Sequence, residues 1–92
     1  MNEATQQTLI DAARAYEALF VPALFEQWAP KVAGAAQIQP GQRVLDVACG
    51  TGILGREIAT RLGSSGHVIG LDVNVGMVAV AKQITPGGNK LR

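Results

Sequence analysis

Arg43-Val44-Leu45-Asp46-Val47-Ala48-Cys49-Gly50-Thr51-Gly52-Ile53-Leu54-Gly55 is the stretch on which the fold turns. Arg43 to about Val47 is β-branched and apolar apart from one carboxylate, Asp46, and reads as a buried strand. Small residues follow, and then an apolar spacing of helical period. A strand, a glycine loop and a helix in that order bring backbone N–H groups to a helix start, where they can face a ligand.

Downstream, Ile53, Leu54, Ile58, Ala59 and Leu62 share one side of a helix running from about Gly52 to Leu62. Gly63 stands where a C-terminal cap belongs. Ser64-Ser65-Gly66 is a loop, and His67-Val68-Ile69-Gly70-Leu71 reads as a second buried strand that ends at Asp72. Asn74 suits the N-cap of a helix from Val75 to about Ile84, which Thr85-Pro86-Gly87-Gly88-Asn89 then breaks. The two strands suit parallel pairing through a right-handed crossover. Two are few for an open sheet, and a third is expected only after Arg92.

Upstream, Gln39-Pro40-Gly41-Gln42 is a turn. Residues 1–7 are polar and expected to fray. Thr8 to Val21 favours helix, with Leu9, Ile10, Ala13, Tyr16, Phe20 and Val21 near helical spacing. Pro22 suits the first position of a second helix, whose expected apolar stripe is Leu24, Phe25, Trp28, Val32, Ala35 and Ala36, kinked at Pro30. All the aromatic residues fall in these two segments. They serve either as a helical layer on the core or, for Tyr16 or Phe20, as a cover over a bound cofactor. The chain therefore divides into an N-terminal helical segment, 1–38, and the first half of a Rossmann-like α/β domain, 39–92.

The 92 residues are 48% hydrophobic and 16% charged, with a formal charge of +1. That balance supplies no electrostatic attraction to nucleic acid or an anionic membrane. Lys82, Lys90 and Arg92 read as surface charge. No apolar run approaches the ~20 residues of a membrane span, and the first residues lack the pattern of a signal peptide. A single cysteine excludes an internal disulfide. The expected compartment is the cytoplasm. Cys49 has no base at a spacing that suggests catalysis, His67 reads as a solvated histidine opening the second strand, and two Met with one His make no metal-ligand constellation.

Gly50-Thr51-Gly52-Ile53-Leu54-Gly55 fits G-x-G-x-x-G, and Asp72 lies about 20 residues on, at the end of the second strand, where a carboxylate reaches ribose hydroxyls. An adenosine-containing cofactor is implied. Asp46 chooses among such cofactors. A pyrophosphate at this loop would meet like charge, whereas S-adenosylmethionine has no phosphate and carries an ammonium and a sulfonium. Charge favours the methyl donor over a nicotinamide.

Val44-Leu45-Asp46-Val47-Ala48-Cys49-Gly50-Thr51-Gly52 resembles the first motif of class I S-adenosylmethionine-dependent methyltransferases, in the branch that includes quinone-biosynthesis enzymes. The acid-x-Gly-x-Gly-x-Gly pattern falls on Asp46, Ala48, Gly50 and Gly52, with Ala48 in place of the first glycine. Gly70-Leu71-Asp72-Val73-Asn74-Val75-Gly76-Met77 resembles the next motif, with Val75 where many relatives have proline. Phe20-Val21-Pro22-Ala23-Leu24-Phe25 is similar to the N-terminal helices of that branch. The resemblance implies a partial Rossmann-like methyltransferase fold and S-adenosyl-L-methionine as cofactor. It implies donor contacts from Asp46, Ala48, Cys49, Gly50, Thr51, Gly52, Asp72, Val73 and Met77.

A small-molecule methyl acceptor is implied too, with its site in a later part of the fold, and no catalytic residue is assigned. These residues amount to about half a donor site, so the isolated chain is expected to be inactive. Two other readings remain. One is a piece of an NAD(P)-dependent oxidoreductase. The other is a non-catalytic interaction module that self-associates through its exposed sheet edge.

Overall fold

The computed structural model describes residues 1–85 and, in backbone, 90–91. Strand β1 (Arg43–Val47) pairs in parallel with β2 (His67–Leu71), in a register that sets Val44 beside Val68 and Asp46 beside Gly70. Helix α3 (Ile53–Leu62) makes the crossover and α4 (Val75–Ile84) follows β2. These bounds agree closely with the sequence reading. Gly63 caps α3 at φ 69°, and the Asn74 side chain accepts from the backbone N–H groups of Gly76 and Met77.

The expectation that a third strand starts only after Arg92 is corrected. Strand β3 (Lys90–Leu91) already pairs in parallel with β2, giving the order β1-β2-β3. Most of the expected break, 86–89, lies outside the described residues. β2 is central, and one edge of β1 has no neighbour among the described residues.

The N-terminal segment departs most from expectation. Helix α1 (Glu3–Ala15) begins where fraying was expected, because the Asn2 carboxamide accepts the Thr5 N–H at 2.8 Å and so caps the helix. Pro22 does not start a new helix. It lies inside a π-helical stretch, Tyr16–Phe25, that continues α1 and leads through a 3-10 turn, Glu26–Trp28, into α2 (Ala29–Ala35). A proline lacks the N–H that an α-helix needs and crowds the preceding turn. The wider turn relieves both, and the Glu26 N–H reaches back to the Val21 carbonyl.

The changed pitch also rotates the expected apolar stripe out of the core. Leu24, Phe25, Trp28 and Val32 are exposed, and the buried positions are Val21, Ala29 and Ala33. Small residues bring α2 close to α3, and Ala33, Ile58, Leu62 and Val68 form the core with Ile38, Val44, Leu54 and Ala59 around them. The other side of the sheet is bare. Leu45 and Val47 are 58% and 68% exposed, with Leu71 partly exposed beside them.

Candidate functional site

The pleat of β1 aims Asp46 toward α3, the side that carries Val44 and Val68. Asp46 lies against Gly55, where an added Cβ would stand 3.8 Å from Asp46 Oδ2, an ordinary van der Waals distance. That oxygen is buried and has no hydrogen-bond partner among the described residues. Burial, and then the nearby Asp72 carboxylate, raise the Asp46 pKa above its ordinary value of 3.8.

Asp72, just past β2, anchors the loop. Its Oδ2 accepts the Gly50 N–H and its Oδ1 accepts the Asn74 N–H, both at 2.8 Å. A carboxylate has about four acceptor positions, so each oxygen keeps capacity for a ligand hydroxyl. The Cys49 N–H completes the seam by donating to the Leu71 carbonyl at 2.9 Å.

Two cavities open at the strand tips. One, of about 320 Å³, lies between the N-terminal helices and the loop, and is lined by Asp46, Ala48, Cys49 and Gly50 with Tyr16, Phe25 and Trp28 opposite. The other, of about 390 Å³, is lined by Val47, Ala48, Leu71, Asp72 and Val73. Val73 is fully exposed there. Met77 is half-buried on the first turn of α4, one turn beyond.

Three loop residues turn inward. Thr51 is buried, its hydroxyl unpartnered and its carbonyl accepting from Arg56 at 2.7 Å. Gly52 has φ 93°, and a Cβ there would lie 3.4 Å from Arg56 Nη1 and 3.5 Å from the Ala81 methyl. These are ordinary van der Waals distances, so it is the left-handed φ that calls for glycine at 52. Cys49 is buried as well, and burial and the carboxylates of Asp46 and Asp72 raise its pKa, which keeps it a thiol rather than a nucleophilic thiolate.

Ala48 has φ 58°, in the left-handed region where the related motif has glycine. An L-residue with a Cβ is strained there by about 1 kcal/mol. Ala48→Gly is therefore expected to stabilise the protein by up to about 1 kcal/mol, after the added freedom of the unfolded chain is offset. Denaturant unfolding measures it. The valine in place of proline at 75 costs no geometry, since Asn74 already has ψ 107°, the extended conformation a following proline demands.

Tyr16 belongs to the site more firmly than its sequence context indicated. Its ring stacks on Phe25 with centroids 5.7 Å apart, and its hydroxyl would be 3.9 Å from a Cβ at Gly50. Sequence reasoning missed the contribution of Phe25 and Trp28, for which the concentration of aromatics before residue 30 was the available signal. It also missed the Arg56–Glu17 ion pair, 2.8 Å, that ties the N-terminal helices to the start of α3.

A family profile described as a methyltransferase domain matches residues 38–88, over half of the chain. The chain belongs to this methyltransferase family. Over 66 residues the chain is 42% identical to the ubiquinone/menaquinone biosynthesis C-methyltransferase UbiE of Bordetella avium, covering 71% of this chain and 26% of that protein. It is 37% identical over 59 residues to the demethylmenaquinone methyltransferase of Symbiobacterium thermophilum, covering 64% and 24% respectively. The chain thus spans about a quarter of the length of these curated relatives.

Among solved structures, a SAM-dependent methyltransferase from Aquifex aeolicus superposes with a TM-score of 0.62 at 23% identity, over 100% of this chain and 46% of that one. A TehB-like SAM-dependent methyltransferase from Corynebacterium glutamicum gives 0.62 at 22%, over 99% and 45%. At that identity the likeness speaks for the Rossmann-like fold. The nicotinamide alternative gains no support from these relatives.

Proposed function

We propose that these residues bind S-adenosylmethionine for methyl transfer to a small-molecule acceptor. The observation that carries this reading is the Asp46 oxygen, buried without a partner beside a glycine loop that a second carboxylate, Asp72, anchors. Such a corner repels a pyrophosphate and attracts a cation. The residues fit the donor: Asp46 accepts from its ammonium, Asp72 accepts from its ribose hydroxyls, and the backbone at Ala48 and Gly50 allows close approach. The apolar walls at Val73 and, farther on, Met77 suit its adenine.

When bound, the donor supplies an electrophilic methyl group on sulfur. The chain's contribution is to fix the donor's position, which matters for an in-line displacement because alignment provides much of the rate. The names of the relatives support a quinone precursor as acceptor. Among the described residues no helix is long and apolar enough to cross a membrane. A buried free thiol fits a reducing compartment, and we place the protein in the cytoplasm on that ground.

Calorimetric titration with S-adenosylhomocysteine and, in parallel, NAD tests the reading. Saturable binding of the first, weakened at least about tenfold by Asp72→Ala as two charge-assisted hydrogen bonds are lost, is the expected result. Thermal unfolding of Asp72→Ala, run alongside, separates loss of the ribose contact from loss of the loop anchor. Binding of NAD in preference, or of neither, overturns the proposal.

A further inference from the structure

We infer that Tyr16 is a donor-binding residue, its hydroxyl donating a hydrogen bond to the carboxylate of the donor's amino-acid end. The inference rests on the reading above and adds a contact from outside both sequence motifs. An α-amino-acid group is a zwitterion, and a site that holds it has to offer an acceptor for the ammonium and a donor for the carboxylate. Asp46 is the acceptor in the cavity between the loop and the N-terminal helices. Among the described residues no lysine or arginine lines that cavity. The Arg56 guanidinium, at the start of α3, is engaged by the Thr51 carbonyl at 2.7 Å and Glu17 at 2.8 Å.

Tyr16 lines the same cavity, and its hydroxyl lies over Gly50. It makes no side-chain hydrogen bond to Glu17, the residue next to it, whose carboxylate is taken by Arg56. The ring is held from two sides, stacked on Phe25 at 5.7 Å and tilted against Phe20 at 6.2 Å. An oriented phenol costs little further ordering when a ligand arrives. Burial, then Glu17, then Asp72 raise its pKa above 10.0, which keeps the phenol protonated and able to donate. Gly50 leaves the space beneath the hydroxyl open.

The test compares two ligands on the full chain: S-adenosylhomocysteine, and 5′-methylthioadenosine, which keeps the nucleoside and lacks the amino-acid group. Tyr16→Phe keeps the ring and removes the hydrogen bond. It is expected to weaken S-adenosylhomocysteine by about tenfold, as for a hydrogen bond to a charged group, and to leave methylthioadenosine unchanged. Thermal unfolding of the ligand-free variant is expected to match the wild type. Equal affinity of the variant and the wild type for S-adenosylhomocysteine overturns the inference and leaves the methyl-donor reading standing. Equal weakening of both ligands overturns it as well, since the effect would then not arise at the amino-acid end. Failure of the wild type to bind S-adenosylhomocysteine overturns both readings together.

Discussion

Asp46→Asn makes the ligand-free protein more stable and its donor complex weaker. In the free protein the carboxylate bears a buried oxygen with no partner and faces Asp72. Neutralising it removes a desolvated charge and a like-charge contact, and a gain of about 1 kcal/mol at neutral pH is expected. In the complex the same substitution removes the acceptor for the ammonium, and affinity for S-adenosylhomocysteine should fall between about tenfold and a hundredfold.

The pH dependence separates this from a generic effect of mutation. Asp46 holds its proton to higher pH when folded than when unfolded, since its folded pKa is raised above 3.8. As pH rises through that interval the folded state binds more protons than the unfolded one, so stability falls, and it levels off once the folded carboxylate has ionised. Denaturant unfolding of wild type and Asp46→Asn across the acid range should show the difference growing with pH and then flattening. A difference that stays constant, or an Asn variant less stable at neutral pH, removes the physical basis given to Asp46.

Gly76→Ala carries the largest expected loss of stability. Gly76 opens α4 exactly where α1 crosses it, and an added Cβ would sit 2.8 Å from the Ile10 backbone nitrogen and closer still to the Leu9 carbonyl group. Neither neighbour is the end of a flexible side chain. The helices have to separate, and a loss of about 3 kcal/mol or more follows. Gly34→Ala is the contrast: the added Cβ meets only Arg61 Nη1 at 3.9 Å, in the last turn of α2, and the expected change is a gain of at most about 1 kcal/mol. Equilibrium unfolding of the pair distinguishes backbone collision from helix propensity. Equal behaviour of the two variants would mean that α1 does not dock on α4 as described.

The strands, the loop and the helices after them were legible because their signals are local. β-branched runs, Gly63 at a cap and Asn74 at another each act within a few residues. The N-terminal segment was not legible in the same way. Whether Pro22 starts a helix or widens one depends on how the neighbouring turns are packed, and beyond the π-helical stretch Leu24, Phe25, Trp28 and Val32 fall outside the core. Hence Trp28 and Val32 stand exposed at the cavity opposite the loop, while Ala29 and Ala33 are buried. Within the site, the strand-tip carboxylates were visible as residue types. The separate roles of the glycines were not. Gly50 lies beneath Tyr16, Gly52 takes a left-handed φ, and Gly76 admits the backbone of α1, an approach between segments distant in sequence.

Asp72 has a consequence for the thermodynamics of recognition. By accepting from both Gly50 and Asn74 it fixes the glycine loop against the start of α4 through contacts within the protein itself. The entropy lost in ordering that loop is thus part of the cost of folding, not of association. Complex formation is then a docking onto a preorganised surface, with a small conformational penalty.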